Sequence, residues 1–330
     1  MPMAGKYDPV IEKIPAQDSR PEVVIRQAGD GFIQMEYFAT PRFDMVDSFR
    51  IQTIDKIVKE NAPKGLIETV PSLRANLFHF DPEVCDRRAL IKVIEEAEAS
   101  LEHVEDIEFD SRIIRLPIAF EDSETKKAVA KYEKEVRPGA PNVINGYNIE
   151  YMALVNGCSV QTVKDAVTKT DWFDSGNGFW PGGGFFWPLD PRYALVVPKY
   201  NPPRTWTPEG TVGIGGPCLF VYTTPTGGGY QLFGRSIPVF QFAQKHPMFK
   251  DGPTLFRAGD RLKFHEVSEE EVVEVYSHVH GPQYDYEYDI TEDVFKVKDY
   301  LDFRNQPEVQ EGARKFQEAQ AEAVKTAPKL

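Results

Sequence analysis

The sequence predicts an α+β chain in two parts: a small α+β domain over 22–110, then a β-rich domain over 111–267. Three observations carry that expectation. A length of 330 residues exceeds the usual size of one compact domain. The first hundred residues give strand-like and helix-like patterns in the order ββαββα, the order of helices packed on one sheet face. The 24 Gly and 26 Pro cluster mainly between Gly139 and Gly259, where they punctuate short β-forming runs.

Taken in order, residues 1–21 are expected to form an irregular leader, broken by prolines and charges. EVVIRQ (22–27) and FIQMEYF (32–38) read as strands joined by the Gly29-Asp30-Gly31 turn. A helix begins near Asp44, carries Val46, Phe49, Ile54 and Ile57, and stops at Asn61-Ala62-Pro63, where proline removes the next donor. LIETV (66–70) and ANLFHF (75–80) flank a turn at Pro71-Ser72. A second helix places Leu90, Ile94, Ala97 and Leu101 at spacings of four, three and four.

SRIIRLPIAF (111–120) reads as a strand leaving this domain, and a helical insertion over 121–170 follows. Its helices cover about 123–136, then 148–156 ended by Gly157, then a third capped by Ser159. From Asp171 the segments YALVV, CLFVY, YQLFGR, IPVF and RLKFHEV read as short strands of a barrel or sandwich. Residues 268–330 form an acidic, then helical tail, with Val309, Ala313, Phe316 and Ala323 near helical spacing.

Composition excludes several functions. The 51 acidic against 38 basic residues give a net charge of -13, which repels nucleic acid and anionic lipid. Three cysteines, Cys85, Cys158 and Cys218, lie in no C-x-x-C pair. They suit a reducing cytosol, and a cytoplasmic protein is expected. No run approaches the roughly 20 apolar residues of a membrane helix. His278-x-His280 is the one close histidine pair; alternation could set both on one strand face, but no third ligand accompanies them, so no metal is expected. Cys218 sits in the apolar run PCLFVY and reads as core.

The densest unusual run spans Asp174–Arg235. It holds SGNGFWPGGGFFWPLDPR (175–192), KYNPPRTWTPEG (199–210), GIGG (213–216) and TGGGYQLFGR (226–235). Glycines admit close backbone approach and expose N–H donors, and Phe179, Trp180, Phe185, Phe186, Trp187, Trp206 and Tyr230 offer flat apolar walls. Two readings stay open on these residues alone, a small-molecule site or a barrel with many turns and an aromatic core. The cations of the run are Arg192, Lys199, Arg204 and Arg235. The chain has no P-loop, no dinucleotide fingerprint and no Ala-Met-Lys-Met-like biotin attachment sequence, so ATP and biotin, where used, belong to other polypeptides.

These segments carry a resemblance. VPSLRANLFHFDP (70–82) and GFWPGGGFF (178–186) are similar to stretches of the KipI-like group, which includes allophanate hydrolase subunit 1 and the B subunit of 5-oxoprolinase. KYEKEVRPGAPNVINGYNIEYMALVNG (131–157), PLDPRYALVVPKYNPPRTWTPEGTVGIGG (188–216), GGYQLFGRS (228–236) and the tail look like the carboxyltransferase region of urea carboxylase and urea amidolyase. The resemblance spans about 22–320. It implies a ferredoxin-like α+β N-terminal domain followed by a cyclophilin-like β-barrel. It also implies the KipI-like half of a multi-subunit, biotin-dependent carboxyltransferase, inactive alone, that moves a carboxyl group to a urea- or amide-type nitrogen. The implied partners are a KipA-like carboxyltransferase subunit, a biotin carboxylase using ATP and Mg²⁺, and a biotin carrier protein. The acceptor is urea or a similar small amide.

Chemistry sets the candidates. Negative charge that develops as a carboxyl group leaves a ureido ring calls for preorganised cations and N–H groups. Lys199, Arg204 and Arg235 are the catalytic candidates. Tyr200, Asn201, Thr205, Gly227, Gly228, Gly229, Tyr230 and Gln231 form the binding set. Two other functions are weighed: a subunit of an ATP-dependent 5-oxoprolinase-type lactam hydrolase, and a KipI-like kinase inhibitor or interaction protein.

Overall fold

The computed structural model describes residues 8–17, 20–38 and 44–330. The chain divides into two compact units, one up to Asp110 with Val294–Leu301, the other Ser111–Asp293 with Asp302–Leu330.

In the first unit β1 (Val10–Ile14), β2 (Glu22–Gln27), β3 (Phe32–Phe38), β4 (Leu66–Ser72) and β5 (Ala75–Phe80) form one antiparallel sheet in the order β1-β2-β3-β5-β4. Helix α1 (Met45–Asn61) starts where the Asp44 carboxylate accepts from Val46 N, and ends before the extended Ala62 that Pro63 demands. Helix α2 (Arg87–Ala99) is capped by Asp86. Ile51, Ile54, Val58, Leu90, Ile94 and Ala97 of these helices join Val23, Ile25, Ile33, Met35 and Phe78 of the sheet in one core. The leader departs from expectation between Val10 and Ile14, which pair with β2 as an edge strand. Pro9 and Pro15 flank that strand rather than interrupt it, and an edge needs donors on one side only. The rest of the leader at 1–7 and 18–19 lies outside the described residues.

The second unit is built on a barrel. Strand β6 (Glu108–Phe120) leads to helices α3 (Ser123–Glu135), α4 (Ile149–Asn156) and α5 (Val160–Thr168). Asp122 caps α3, and Ser159 accepts from Thr162 N at the start of α5. Then come β7 (Trp172–Asn177), β8 (Gly184–Pro188), β9 (Arg204–Thr207), β10 (Thr211–Gly215), β11 (Cys218–Val221), β12 (Thr226–Gly228), β13 (Gln231–Arg235) and β14 (Arg261–Glu266). Helix α6 (Glu269–His280), strand β15 (Asp289–Lys296) and helices α7 (Val297–Arg304) and α8 (Pro307–Ala323) finish the chain. The large sheet runs β13-β10-β11-β8-β7-β14-β6-β15, and β13 also pairs with β6, Gly234 opposite Phe120. That pairing closes the sheet, so the choice between sandwich and barrel falls to the barrel. Strands β9 and β12 form a separate two-stranded ribbon. Ile114, Leu116, Trp172, Phe186, Val212, Ile214, Leu219, Val221 and Leu262 build the core with Met152, Val163 and Val167 of the helices.

Two expected strands are absent. YALVV and IPVF are irregular, with single bridges at Val197–Gly216 and Phe240–Thr254, although Leu195, Val197, Ile237 and Val239 are fully buried. Pro198 and Pro238 deny them a continuous ladder. The tail is more than helix, because DITEDVFK forms β15. His278 and His280 lie on α6, not on a strand. His278 pairs with Asp285 at 2.8 Å and His280 with Glu209 at 3.1 Å. Among the described residues no helix is long and apolar enough to cross a membrane.

Candidate functional site

A cavity of about 590 Å³ opens between the ribbon and the outside of the barrel, lined by Phe179, Phe185, Lys199, Tyr200, Pro203, Arg204, Phe220, Tyr222, Gly227–Gly229 and Tyr230. Alternation along β11 creates its floor. Leu219 and Val221 enter the main core, while Phe220 and Tyr222 face the cavity. Phe220 is the hub of the walls, with ring centroids 5.9 Å from Phe185, 6.0 Å from Phe179, 5.5 Å from Tyr222 and 6.3 Å from Tyr230.

Arg204 supplies the cation. The first residue of β9, it is 2% exposed. Its Nη1 donates to Tyr230 O at 2.6 Å, Nε and Nη2 to Thr207 Oγ1 at 3.2 Å each, and Nη2 to Tyr222 Oη at 3.3 Å. The Tyr200 ring lies 4.4 Å from its guanidinium carbon. Every one of these partners is neutral. Among the described residues no carboxylate pairs with Arg204 or with Lys199, whose Nζ sits 5.1 Å over the Tyr230 ring at the rim. A buried cation without a counter-charge is costly on its own, and it attracts an anion.

The insertion holds the wall in place. Tyr200 Oη donates to Asn148 Oδ1 at 2.8 Å, and Asn148 Nδ2 donates to Asn142 O at 2.9 Å. Asn142 Nδ2 in turn donates to Gln231 Oε1, whose amide reaches Pro198 O at 2.8 Å. All these side chains are buried. Burial raises the Tyr200 and Tyr230 hydroxyls above their ordinary range. It also pushes the Cys218 thiol up to about 12, so that thiol is not a nucleophile at neutral pH.

Of the sequence candidates, the fold brings together Lys199, Tyr200, Arg204, Gly227, Gly228, Gly229 and Tyr230. Four lie outside the lining. Thr205 points away from Arg204 by strand alternation and is exposed. Asn201 is exposed, its carbonyl accepting from Arg137 at 2.6 Å. Gln231 belongs to the buried amide network. Arg235 ends β13 with its guanidinium 3.9 Å over the Tyr276 ring and its Nε bonded to Glu209 O.

Gly227 and Gly228 belong to strand β12, and Gly229 follows it. Gly228 stands opposite Arg204 in the ribbon, and Gly229 O accepts from Tyr200 N at 2.6 Å. Gly228 is required for space, since a Cβ there would stand 2.2 Å from Tyr222 Oη. Phe220, Tyr222 and Pro203 are the lining residues that sequence reasoning missed; the aromatic alternation in CLFVY was the available signal. Phe186 is core, while Phe179 is 72% exposed at the mouth with a φ of 62°. Left-handed backbone at a non-glycine costs on the order of 1–3 kcal/mol and is concentrated at functional sites.

The chain is similar to several known proteins. Urea amidolyase of Saccharomyces cerevisiae is 35% identical over 286 residues, 86% of this chain and 15% of that protein. The crystal structure of K. lactis urea amidolyase matches with a TM-score of 0.83 at 30% identity, covering 98% of this chain and 20% of that one. The 5-oxoprolinase B subunit of Bacillus subtilis is 28% identical over 224 residues, 65% of this chain and 81% of that protein. The chain thus spans about a fifth or less of the urea amidolyases it matches. Residues 23–250 match the family described as carboxyltransferase domain, subdomain C and D, and the chain belongs to that family.

Proposed function

We propose that this chain is the KipI-like half of the carboxyltransferase in a biotin-dependent, urea carboxylase-type enzyme of the cytoplasm. It moves a carboxyl group from carboxybiotin to a urea- or amide-type nitrogen. The observation that carries this reading is Arg204, a buried guanidinium whose partners among the described residues are all neutral, in the wall of an aromatic cavity. Carboxybiotin, when bound, supplies an activated carboxyl group on a ureido ring. The residues present fit that group, because the aromatic walls match a flat ring and Arg204 has no negative partner among the described residues.

Arg204 is already oriented by Thr207, Tyr222 and Tyr230, so negative charge arising in the cavity meets a fixed donor and needs no reorganisation. The apolar rings of Phe185 and Phe220 beside the guanidinium lower the local dielectric on that side and strengthen the interaction. Lys199 adds a second, mobile charge at the rim. Tyr222 offers a hydroxyl on the floor, beside the guanidinium. The implied partners are a KipA-like subunit, a biotin carrier and a biotin carboxylase that uses ATP and Mg²⁺. The exposed Phe179 edge is the surface offered to the KipA-like subunit.

A lactam-hydrolase reading has one observation in its favour, the match to 81% of a 5-oxoprolinase B subunit. The urea amidolyase match is more identical and takes in more of this chain. The deciding experiment incubates the chain, alone and with a KipA-like subunit, biotin carrier and biotin carboxylase, with ATP, labelled bicarbonate and urea. Label transfer to urea only in the complete mixture is expected. ATP-dependent opening of 5-oxoproline without biotin would favour the other reading, and transfer by the chain alone would sink this one.

A further inference from the structure

Two partners of Arg204 converge on a single turn, Pro208–Gly210. Thr207 immediately precedes it. Tyr222 is tied to it by its backbone, accepting from Gly210 N at 2.7 Å and donating to Thr211 O at 2.8 Å. The turn is in turn clamped by the end of β13 and by α6. Glu209 O accepts from Tyr276 Oη at 2.7 Å and from Arg235 Nε at 3.0 Å. The Arg235 guanidinium stacks on the Tyr276 ring, and Ser236 N donates to Gly210 O at 2.8 Å. His280 Nε2 stands 3.1 Å from the Glu209 carboxylate. Gly210 has a φ of 76°, and a Cβ there would fall 2.1 Å from Tyr276 Oη and 2.5 Å from Ser236 O. Only glycine lets the hydroxyl close onto this turn.

We infer that Arg235 and Tyr276 are positioning residues that set the place of Arg204 through the Glu209 carbonyl. The physical reason lies in the shell around Arg204. With no carboxylate among the described residues to hold it, its position depends on neutral oxygens, and the oxygens of Thr207 and Tyr222 move with this turn. A donor misplaced by a fraction of an ångström loses much of its value. Arg235 therefore serves the cavity without touching it, and α6 becomes part of the site although no α6 residue lines it. The consequence for ligand binding rests on the proposed anion-receiving role of the cavity; the effect on Arg204 itself does not.

The experiment follows the Arg204 Nε–H resonance in ¹⁵N-correlated spectra of the full chain, assigned by its loss in Arg204→Lys. Tyr276→Phe keeps the ring and the Arg235 stack and removes one hydrogen bond to the turn. Arg235→Lys keeps a charge and loses the stack. Both are expected to shift the Arg204 resonance and to speed its solvent exchange by roughly threefold to tenfold, the range for one lost hydrogen bond. Ser268→Ala, which frays the far end of α6, is the control, expected to lower the melting temperature and leave the resonance in place. Unchanged Arg204 exchange in folded Tyr276→Phe and Arg235→Lys overturns the inference, as does an equal change in Ser268→Ala. Bicarbonate titration of the same samples separates the two ideas. Weakening in both clamp variants supports the full chain of effects. Absence of bicarbonate binding in the wild type counts against the anion-receiving cavity and leaves the Arg204 exchange as an independent test of the clamp.

Discussion

Arg204 turns an aromatic cavity into an electrostatic one. It has a fork of donors, a ring under its face and, among the described residues, no carboxylate partner. In the reconstituted enzyme Arg204→Ala is expected to slow carboxyl transfer by about a hundredfold or more, the usual loss for a fixed donor to developing charge. Arg204→Lys keeps the charge but cannot reach Tyr230 O, Thr207 and Tyr222 at once, so it restores only part of the rate. Steady-state kinetics beside melting curves check this. A rate near wild type in folded Arg204→Ala would remove Arg204 from the mechanism. At this scale the fold brings Arg204, Lys199 and Tyr230, all singled out in the sequence, into the lining of one cavity. It could not place Arg235, whose neighbours Glu209 and Tyr276 are 26 and 41 residues away, the second on a helix of the tail.

Elements show a different balance. Several helices and antiparallel hairpins were legible, since Asp44 and Ser159 announce two starts and Pro63 an end, while the Asp86 and Asp122 caps emerged only in the structure. Buried apolar runs were ambiguous. CLFVY became a strand while IPVF did not, because burial satisfies an apolar side chain in any backbone but a ladder needs every second N–H. Helix α1 also hides a titration. Burial pushes the Asp47 carboxyl from its ordinary 3.8 up to about 6, against the pull of Arg74 at 3.2 Å. A raised carboxyl pKa means that the folded state binds more protons than the unfolded state between about pH 4 and 6. Its contribution therefore favours folding below that window and is lost as pH rises through it. Asp47→Asn should flatten this part of the melting temperature profile between pH 4 and 7. An identical slope in the variant would show that Asp47 is not the group responsible.

For the whole molecule, the proposed assembly makes the exposed edge of the cavity a joint. Phe179 is strained, exposed and packed edge-on against Phe220. Phe179→Ser removes apolar area from the rim without opening the core, so the melting temperature of the chain alone should stay within a few degrees. Its affinity for a KipA-like subunit should fall tenfold or more, as expected for loss of an aromatic anchor. Sedimentation or calorimetric titration of the two chains measures this, and undiminished affinity would move the joint elsewhere.

The sequence by itself determined the α+β class, most helices, the glycine and aromatic run that supplies the cavity, and the family resemblance. Each of these rests on local chemistry: periodicity, capping side chains, proline geometry and composition over a short window. Tertiary structure decided that the large sheet closes through β13 and β6, that Gly227 and Gly228 form a strand beside Arg204, and that Arg204 has no carboxylate partner among the described residues. It also decided that Arg235 faces a helix rather than the cavity. These depend on which distant segments meet, and a side chain's charge balance is a property of its neighbours in space, which spacing along the chain does not encode.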